Sequence, residues 1–209
     1  MNLAAGDAPA EIALFPLRTV LFPGGLLALK VFEARYLDLA SRCLREGSGF
    51  GVVCLREGSE VRRGDEPVSL ELEGVLARID DVDAAQAGIL NLRCVGTRRF
   101  AWHALRQQAD GLWLAQVRWL ADDESVAPAP AMQATVRALA SAIETMAQQD
   151  ARPFAEPYRF DDAGWVANRW CELLPISRAA KQRLMALDDP ALRLQLVDEF
   201  LRQRGVVTG

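Results

Sequence analysis

Histidine occurs once in the 209 residues, at His103, and lysine only twice, at Lys30 and Lys181, although Lys and Arg together number 24. Any site that needs two histidines is therefore excluded, and lysine chemistry is confined to two positions. Neither lysine follows a glycine, so there is no Gly-Lys-Ser/Thr loop to cradle a nucleotide phosphate. Cysteine is also scarce. Cys43, Cys54, Cys94 and Cys171 form no CxxC pair, and each sits among apolar neighbours. That pattern reads as buried thiols in a reducing compartment, with no metal site expected. An excess of positive charge is lacking too: 24 cations against 28 anions leave a net charge of −4, which disfavours a nucleic-acid partner. Long apolar runs are missing. Met1 to Glu11 has no basic stretch leading into an apolar one, and the uncharged run Thr19–Leu29 is broken by Pro23, Gly24 and Gly25. It falls far short of the ~20 residues that cross a bilayer. Neither a secretory leader nor a membrane partner is expected, and the expected location is cytoplasmic.

What is present is an ordinary globular composition, 51% hydrophobic and 25% charged. The length suits one large domain or two small ones, with enough chain to bury a core without staples. The character changes near residue 125, at the acidic, proline-punctuated join Asp122 to Pro130. Residues 1–128 hold 14 cations and 18 anions, whereas residues 129–209 hold 10 of each. Two parts are expected, residues 1–124 rich in strands and residues 125–209 helical.

In the first part, Ile12–Phe15 reads as a strand stopped by Pro16, and Leu26–Phe32 as a second strand after the Pro23-Gly24-Gly25 turn. From Glu33 to Glu46, Tyr36, Leu39, Ala40, Cys43 and Leu44 recur at helical spacing, with Arg35, Asp38, Arg42 and Arg45 on the opposite face and Gly47 as the stop. Phe50–Leu55 is apolar throughout, as a buried strand is. Val68, Leu70 and Leu72 alternate with polar residues, but after Gly74 the apolar set moves to Val75, Ala77 and Ile79. Such a phase change at a glycine marks a β-bulge and a bent strand. Leu90, Leu92 and Cys94, then Trp113, Ala115, Val117 and Trp119, complete a set that suggests a small, partly open barrel.

In the second part, Met132, Val136, Leu139, Ile143 and Met146 form one stripe. Asp161 or Asp162 caps a helix that Pro175 breaks, Ser177 caps the next, and Asp189-Pro190 opens the last. Leu192, Leu196, Val197, Phe200 and Leu201 are its expected buried face, and Gly205 its end.

Motifs with catalytic spacing are few. Gly47-Ser-Gly49-Phe-Gly51 follows a helix and precedes a strand, the reverse of a dinucleotide loop. Ser48 has no GxSxG elbow, and His103 lies in the strand-like Phe100–Leu105. Lys181 looks like an exposed helix residue. Asp80, Asp81 and Asp83 form a dense acidic cluster but lack the spacing of a calcium loop, so a solvated hairpin end is expected. Arg62-Arg63 and Arg98-Arg99 are short basic pairs amid acids, as ion-paired faces are. No catalytic residue and no cofactor is expected.

The order of motifs resembles the N-terminal substrate-binding domain of Lon proteases. Ile12-Ala-Leu-Phe-Pro-Leu17, Leu21-Phe-Pro-Gly24 and Leu29-Lys-Val-Phe-Glu-Ala-Arg-Tyr36 carry the likeness. It continues through Phe50-Gly-Val-Val53, Glu73–Ile79, Gly96-Thr-Arg-Arg-Phe100, Val117–Asp122, Glu172-Leu-Leu-Pro-Ile176 and Lys181–Pro190. Val75, Ala87-Gly88 and Trp113 depart from the family pattern. The resemblance implies an α+β chain in which a PUA-like β pseudo-barrel with one early helix precedes a C-terminal helical bundle. It also implies a recognition unit for unfolded or flexible polypeptide, or for a specific protein partner. With Gly209 as the last residue, neither an ATPase nor a protease module is expected, hence no enzyme.

Glu33 at the helix start complements its dipole, and Arg35 is expected to pair with an acid on a neighbouring strand. The turn Phe22-Pro-Gly-Gly-Leu-Leu27 places large apolar groups around a proline and two glycines. Phe22, Leu26 and Leu27 are the candidate peptide-binding residues; the alternative is that they seal the barrel end. Two other functions are weighed: an RNA-binding PUA-like module, against which the net charge counts, and a small-molecule hydrolase, against which the missing nucleophile–base pair counts.

Overall fold

The computed structural model describes residues 10–58 and 68–207. The Arg62-Arg63 pair and residues 1–9 lie outside the described residues. Two compact units divide at Ala121 and Asp122, and the chain is mixed α+β.

The first unit contains β1 (Ala10–Leu17), β2 (Leu26–Val31), α1 (Ala34–Glu46), β3 (Phe50–Glu57), β4 (Ser69–Gln86), β5 (Ile89–Gln107) and β6 (Trp113–Trp119). The sheet order is β2-β5-β4-β3-β1-β6, and β6 also pairs with β5. That extra pairing closes β5, β4, β3, β1 and β6 into a ring. One flank of β5 is lined by β4. The other is shared: β2 pairs with Leu90–Val95, and β6 with Phe100–Gln107. The centre is packed by Leu14, Val53, Phe100, Ala115 and Val117, none of which reaches solvent.

Glycines make room for this core. A Cβ on Gly74 would stand 2.3 Å from the Val52 carbonyl oxygen and 2.7 Å from the Phe100 ring, and one on Gly51 would also meet Phe100 at 2.7 Å. The ladder of β4 slips against β3 between Leu70 and Gly74, and against β5 between Val75 and Ala77. The bulge at the phase change is therefore real, and it bends the strand as closure requires. Leu72, expected to share a face with Leu70, is 54% exposed because it falls inside the slip.

Pro16 does not stop β1. The ladder to β6 ends at Leu14, so farther along β1 has β3 as its one neighbour and tolerates a missing N–H. On α1, Gly47 takes the left-handed conformation at φ 63° and closes the helix. Arg35 does not face away from the core. It is buried, its guanidinium donating to the Gly111 carbonyl at 3.1 Å and pairing with Glu33 at 2.8 Å. Its partner is thus the helix-start acid, not an acid on a neighbouring strand.

The second unit contains a 3-10 turn at Pro130–Met132, then α2 (Gln133–Ala147), α3 (Ala163–Leu173), α4 (Arg178–Met185) and α5 (Pro190–Gln203). Asp162 caps α3 by accepting from the Trp165 N–H at 3.0 Å, and Ser177 caps α4 through the Ala180 N–H. Asp189 accepts from both Ala191 and Leu192, with Pro190 in the first turn. α3 is buried from Ala163 to Cys171 and serves as the central helix. On α5 the buried residues are Pro190, Arg193, Leu194, Val197, Asp198 and Leu201, while Leu192 and Leu196 are exposed and Phe200 is half-buried. The apolar pattern misassigns this face because two polar residues are buried with full partners. Arg193 donates to the Leu184 and Leu187 carbonyls, to Asn168 and to the Asp123 carboxylate, and Asp198 accepts from Thr135 and Arg202.

Candidate functional site

The chain Phe22-Pro23-Gly24-Gly25 forms a tight turn closed by the Gly25 N–H donating to the Phe22 carbonyl at 2.9 Å. Proline at the second position and glycine with φ 73° at the third are what a type II turn demands. Two further backbone bonds fasten this turn to β5: Gly24 donates to the Gly96 carbonyl at 2.8 Å, and Gly96 donates to the Gly25 carbonyl at 2.9 Å. The approach is so close that a Cβ on Gly96 would lie 2.4 Å from the Phe22 oxygen. Phe22 is completely buried and anchors the turn from within, whereas Leu26 and Leu27 are half-buried. The two leucines therefore start β2 in partial contact with solvent.

From there β2 runs along one side of a groove of about 310 Å³, lined by every residue from Leu27 to Val31. Phe15, Leu17, Thr19, Phe32, Glu33 and Tyr36 line it as well. Phe15 and Tyr36 stack at 3.9 Å between ring centroids and 11° between planes, and the Arg35 guanidinium lies 4.7 Å from the centre of the Tyr36 ring. Phe32 is 54% exposed at the rim. The Glu33 carboxylate makes no helix-cap bond and is held by Arg35 instead. Lys30 is an exposed cation lining the groove. The groove can hold apolar side chains against the stacked Phe15 and Tyr36 rings, with the Lys30 amine and the Thr19 side chain among its lining.

The chemistry-bearing residues elsewhere are dispersed. His103 is exposed on β5, and the Ser48 hydroxyl donates to Glu46. The Lys181 ammonium donates to the Glu172 carbonyl at 3.0 Å and the residue is half-buried, not the exposed helix residue that the sequence suggests. Asp80 pairs with Arg93 at 2.9 Å and with Arg78 at 3.5 Å, and Asp83 accepts from Asn91, so the acidic cluster lies along an ion-paired hairpin. Among the described residues, no group of three His, Cys, Asp or Glu could hold a metal ion. All four cysteines are buried, and burial pushes the Cys94 and Cys171 thiols up to about 12. Arg98 stacks over Trp119 at 4.7 Å, and Arg99 donates to the Ala121 carbonyl. Among the described residues, no helix is long and apolar enough to cross a membrane.

The turn is legible in the sequence, but the groove beside it is not. Phe15 and Tyr36 read as core positions, and Lys30 as a motif residue. The available signal was Phe32, which continues the apolar run past the strand into the helix start.

The chain belongs to the family of the ATP-dependent protease La (LON) substrate-binding domain, whose model matches residues 11–203. It is similar to a solved Lon N-terminal domain protein from Xanthomonas campestris, at 35% identity over 90% of this chain and 96% of that one, with a TM-score of 0.68. The N-terminal domain of a Mycobacterium avium complex Lon protease shares the fold at 16% identity, covering 92% of this chain and 98% of that one, with a TM-score of 0.60. No curated protein matches the chain.

Proposed function

We propose that this protein is a non-catalytic recognition module that captures unfolded or flexible polypeptide in the cytoplasm, at the turn carrying Leu26 and Leu27 and the groove that follows it. Its barrel is read as PUA-like, its domains as residues 1–124 and 125–209, and it acts without a cofactor, nucleic acid or membrane. It neither hydrolyses ATP nor cleaves peptide bonds. The observation that carries the reading is the half-buried Leu26–Leu27 pair at the start of β2, whose Leu27 lines a largely apolar groove that also contains Phe15 and Tyr36. Membership of a substrate-binding family supports it. Phe22 contributes from inside, by holding the turn in place.

Apolar capture is non-directional and scales at roughly 25 cal/mol per Å² buried. Ordering a flexible chain offsets much of that gain, so affinities near micromolar are expected. The test measures binding of a fluorescently labelled, permanently unfolded protein to the wild type, Leu26→Asp and Leu27→Asp, with melting temperatures alongside. Because both positions are half-buried, the variants stay folded and lose at least fivefold in binding. No binding by the wild type, or undiminished binding by folded variants, overturns the proposal.

A further inference from the structure

The groove is a seam in the barrel. β6 lies between β5 and β1, but its ladders reach only Phe100–Gln107 of β5 and Ala10–Leu14 of β1. Past that limit β2 takes the place of β6 beside β5, and β5 is its sole strand neighbour among the described residues. Phe15, Leu17 and Thr19, which follow the point where β6 ceases to pair with β1, line the same groove as β2. The barrel is thus closed at one end and open at the other, with the free edge of β2 bordering the gap along Leu27–Val31.

An edge strand offers a row of main-chain N–H and C=O groups that only another extended backbone satisfies fully. Along β2, Leu29 and Val31 are buried while Ala28 and Lys30 are exposed, so an added strand would find an apolar side and a polar side at alternate residues. Charge further narrows the occupant. Glu33 is neutralised by Arg35 at 2.8 Å, whereas among the described residues Lys30 has no ionic or hydrogen-bonding partner. The net charge bordering the groove is therefore positive.

Building on the proposed polypeptide capture, we infer that the bound segment adds to β2 as an extra strand in this seam, and that the segment preferred is an extended one alternating apolar with acidic residues. Its apolar side chains lie toward Phe15, Leu17 and Tyr36, and a carboxylate meets Lys30. The full chain discriminates by sequence pattern as well as by unfoldedness.

The test uses three labelled ten-residue synthetic peptides with the full chain: one alternating leucine and glutamate, the same with lysine for glutamate, and the first with alternate backbone amides N-methylated. N-methylation removes strand donors and leaves the side chains intact. The acidic peptide is expected to bind at least tenfold more tightly than either of the others. Lys30→Glu, an exposed strand position, reverses the preference between acidic and basic peptides. Binding of the acidic peptide slows amide hydrogen exchange in β2. Equal binding of the N-methylated peptide, or unchanged exchange in β2, overturns strand addition. An acidic preference untouched by Lys30→Glu overturns the charge assignment. If all three peptides fail while the unfolded protein still binds in a Leu27-dependent manner, the seam inference falls and the recognition module stands; if the unfolded protein also fails, both fall.

Discussion

Replacing Gly96 by alanine tests whether the turn is held as the backbone bonds imply. The new Cβ would sit 2.4 Å from the Phe22 oxygen, 3.0 Å from Leu21 Cγ and 3.2 Å from Val75 Cγ1. Ordinary carbon contacts begin near ~3.5 Å, so turn and strand must part by about 1 Å. The two backbone bonds linking Gly96 to Gly24 and Gly25 are only 2.8 and 2.9 Å long, and a displacement of that size breaks both. Each is worth about 1 kcal/mol net, and loosening the buried Phe22 adds about 1 kcal/mol more. Alanine in a strand returns roughly 0.5–1 kcal/mol relative to glycine. The net loss is about 2 kcal/mol, read by urea denaturation, with binding of the unfolded-protein probe reduced as Leu26 and Leu27 shift. Gly88→Ala is the control: it has φ 76° and nothing within 4 Å of a Cβ, so it costs about 1 kcal/mol for conformation alone and leaves binding intact. A Gly96→Ala protein within about 0.5 kcal/mol of wild type, with unchanged binding, would refute the clamp.

In the second unit, Arg193→Met removes the bidentate partner of the Asp123 carboxylate and the donors to the Leu184 and Leu187 carbonyls; a loss of about 3–5 kcal/mol in chemical denaturation is expected, and Arg193→Lys recovers little because a single ammonium cannot reproduce the planar fork. Glu172 is pushed up to about 7, first by burial, against the lowering influence of Arg169 and Lys181. A raised carboxyl binds its proton more readily in the folded state, so its contribution is fully present below about pH 4.5 and is lost as pH rises through 7, at most about 3 kcal/mol. Glu172→Gln flattens the stability profile between pH 5 and 8; a slope as steep as wild type would refute the assignment. Asp198, lowered against burial by the hydrogen bonds from Arg202 and Thr135, acts in the opposite direction and in a more acidic window.

Legibility in the sequence followed the locality of the cause. The caps at Ser177 and Asp189, the stop at Gly47 and the bulge at Gly74 each depend on a few adjacent residues, and each could be read before any fold was known. Arg35 and Arg193 could not. Charge places such residues outside by default, and partners distant in sequence, the Gly111 carbonyl for the first and Asp123 and Asn168 for the second, help to reverse that. The same cause hid the true face of α5, where burying Arg193 and Asp198 rotates the helix enough to expose Leu192 and Leu196. The turn Phe22–Leu27 was visible because proline and glycine announce it. Its division of labour was not, because the turn is fastened by backbone bonds to Gly96, more than seventy positions along the chain.

The groove depends on an even less local fact, the point at which two ladders end. β6 stops short on both of its neighbours, and β2 occupies its place on only one of them. Nothing in the composition of β2 distinguishes an edge that borders a seam from one paired on both sides; Leu-Ala-Leu-Lys-Val would serve either. What separates them is that Pro16 sits where β1 has lost its second neighbour, a residue that a doubly paired strand does not accommodate. A proline inside an apolar strand motif is thus a sequence trace of an incomplete barrel, and it falls in the same short segment, Phe15 to Leu17, that walls the groove. Where β1 loses β6 as a neighbour, the closed ring gives way to a seam in which β2 keeps, among the described residues, an unpaired edge, the edge that the proposed strand addition would fill.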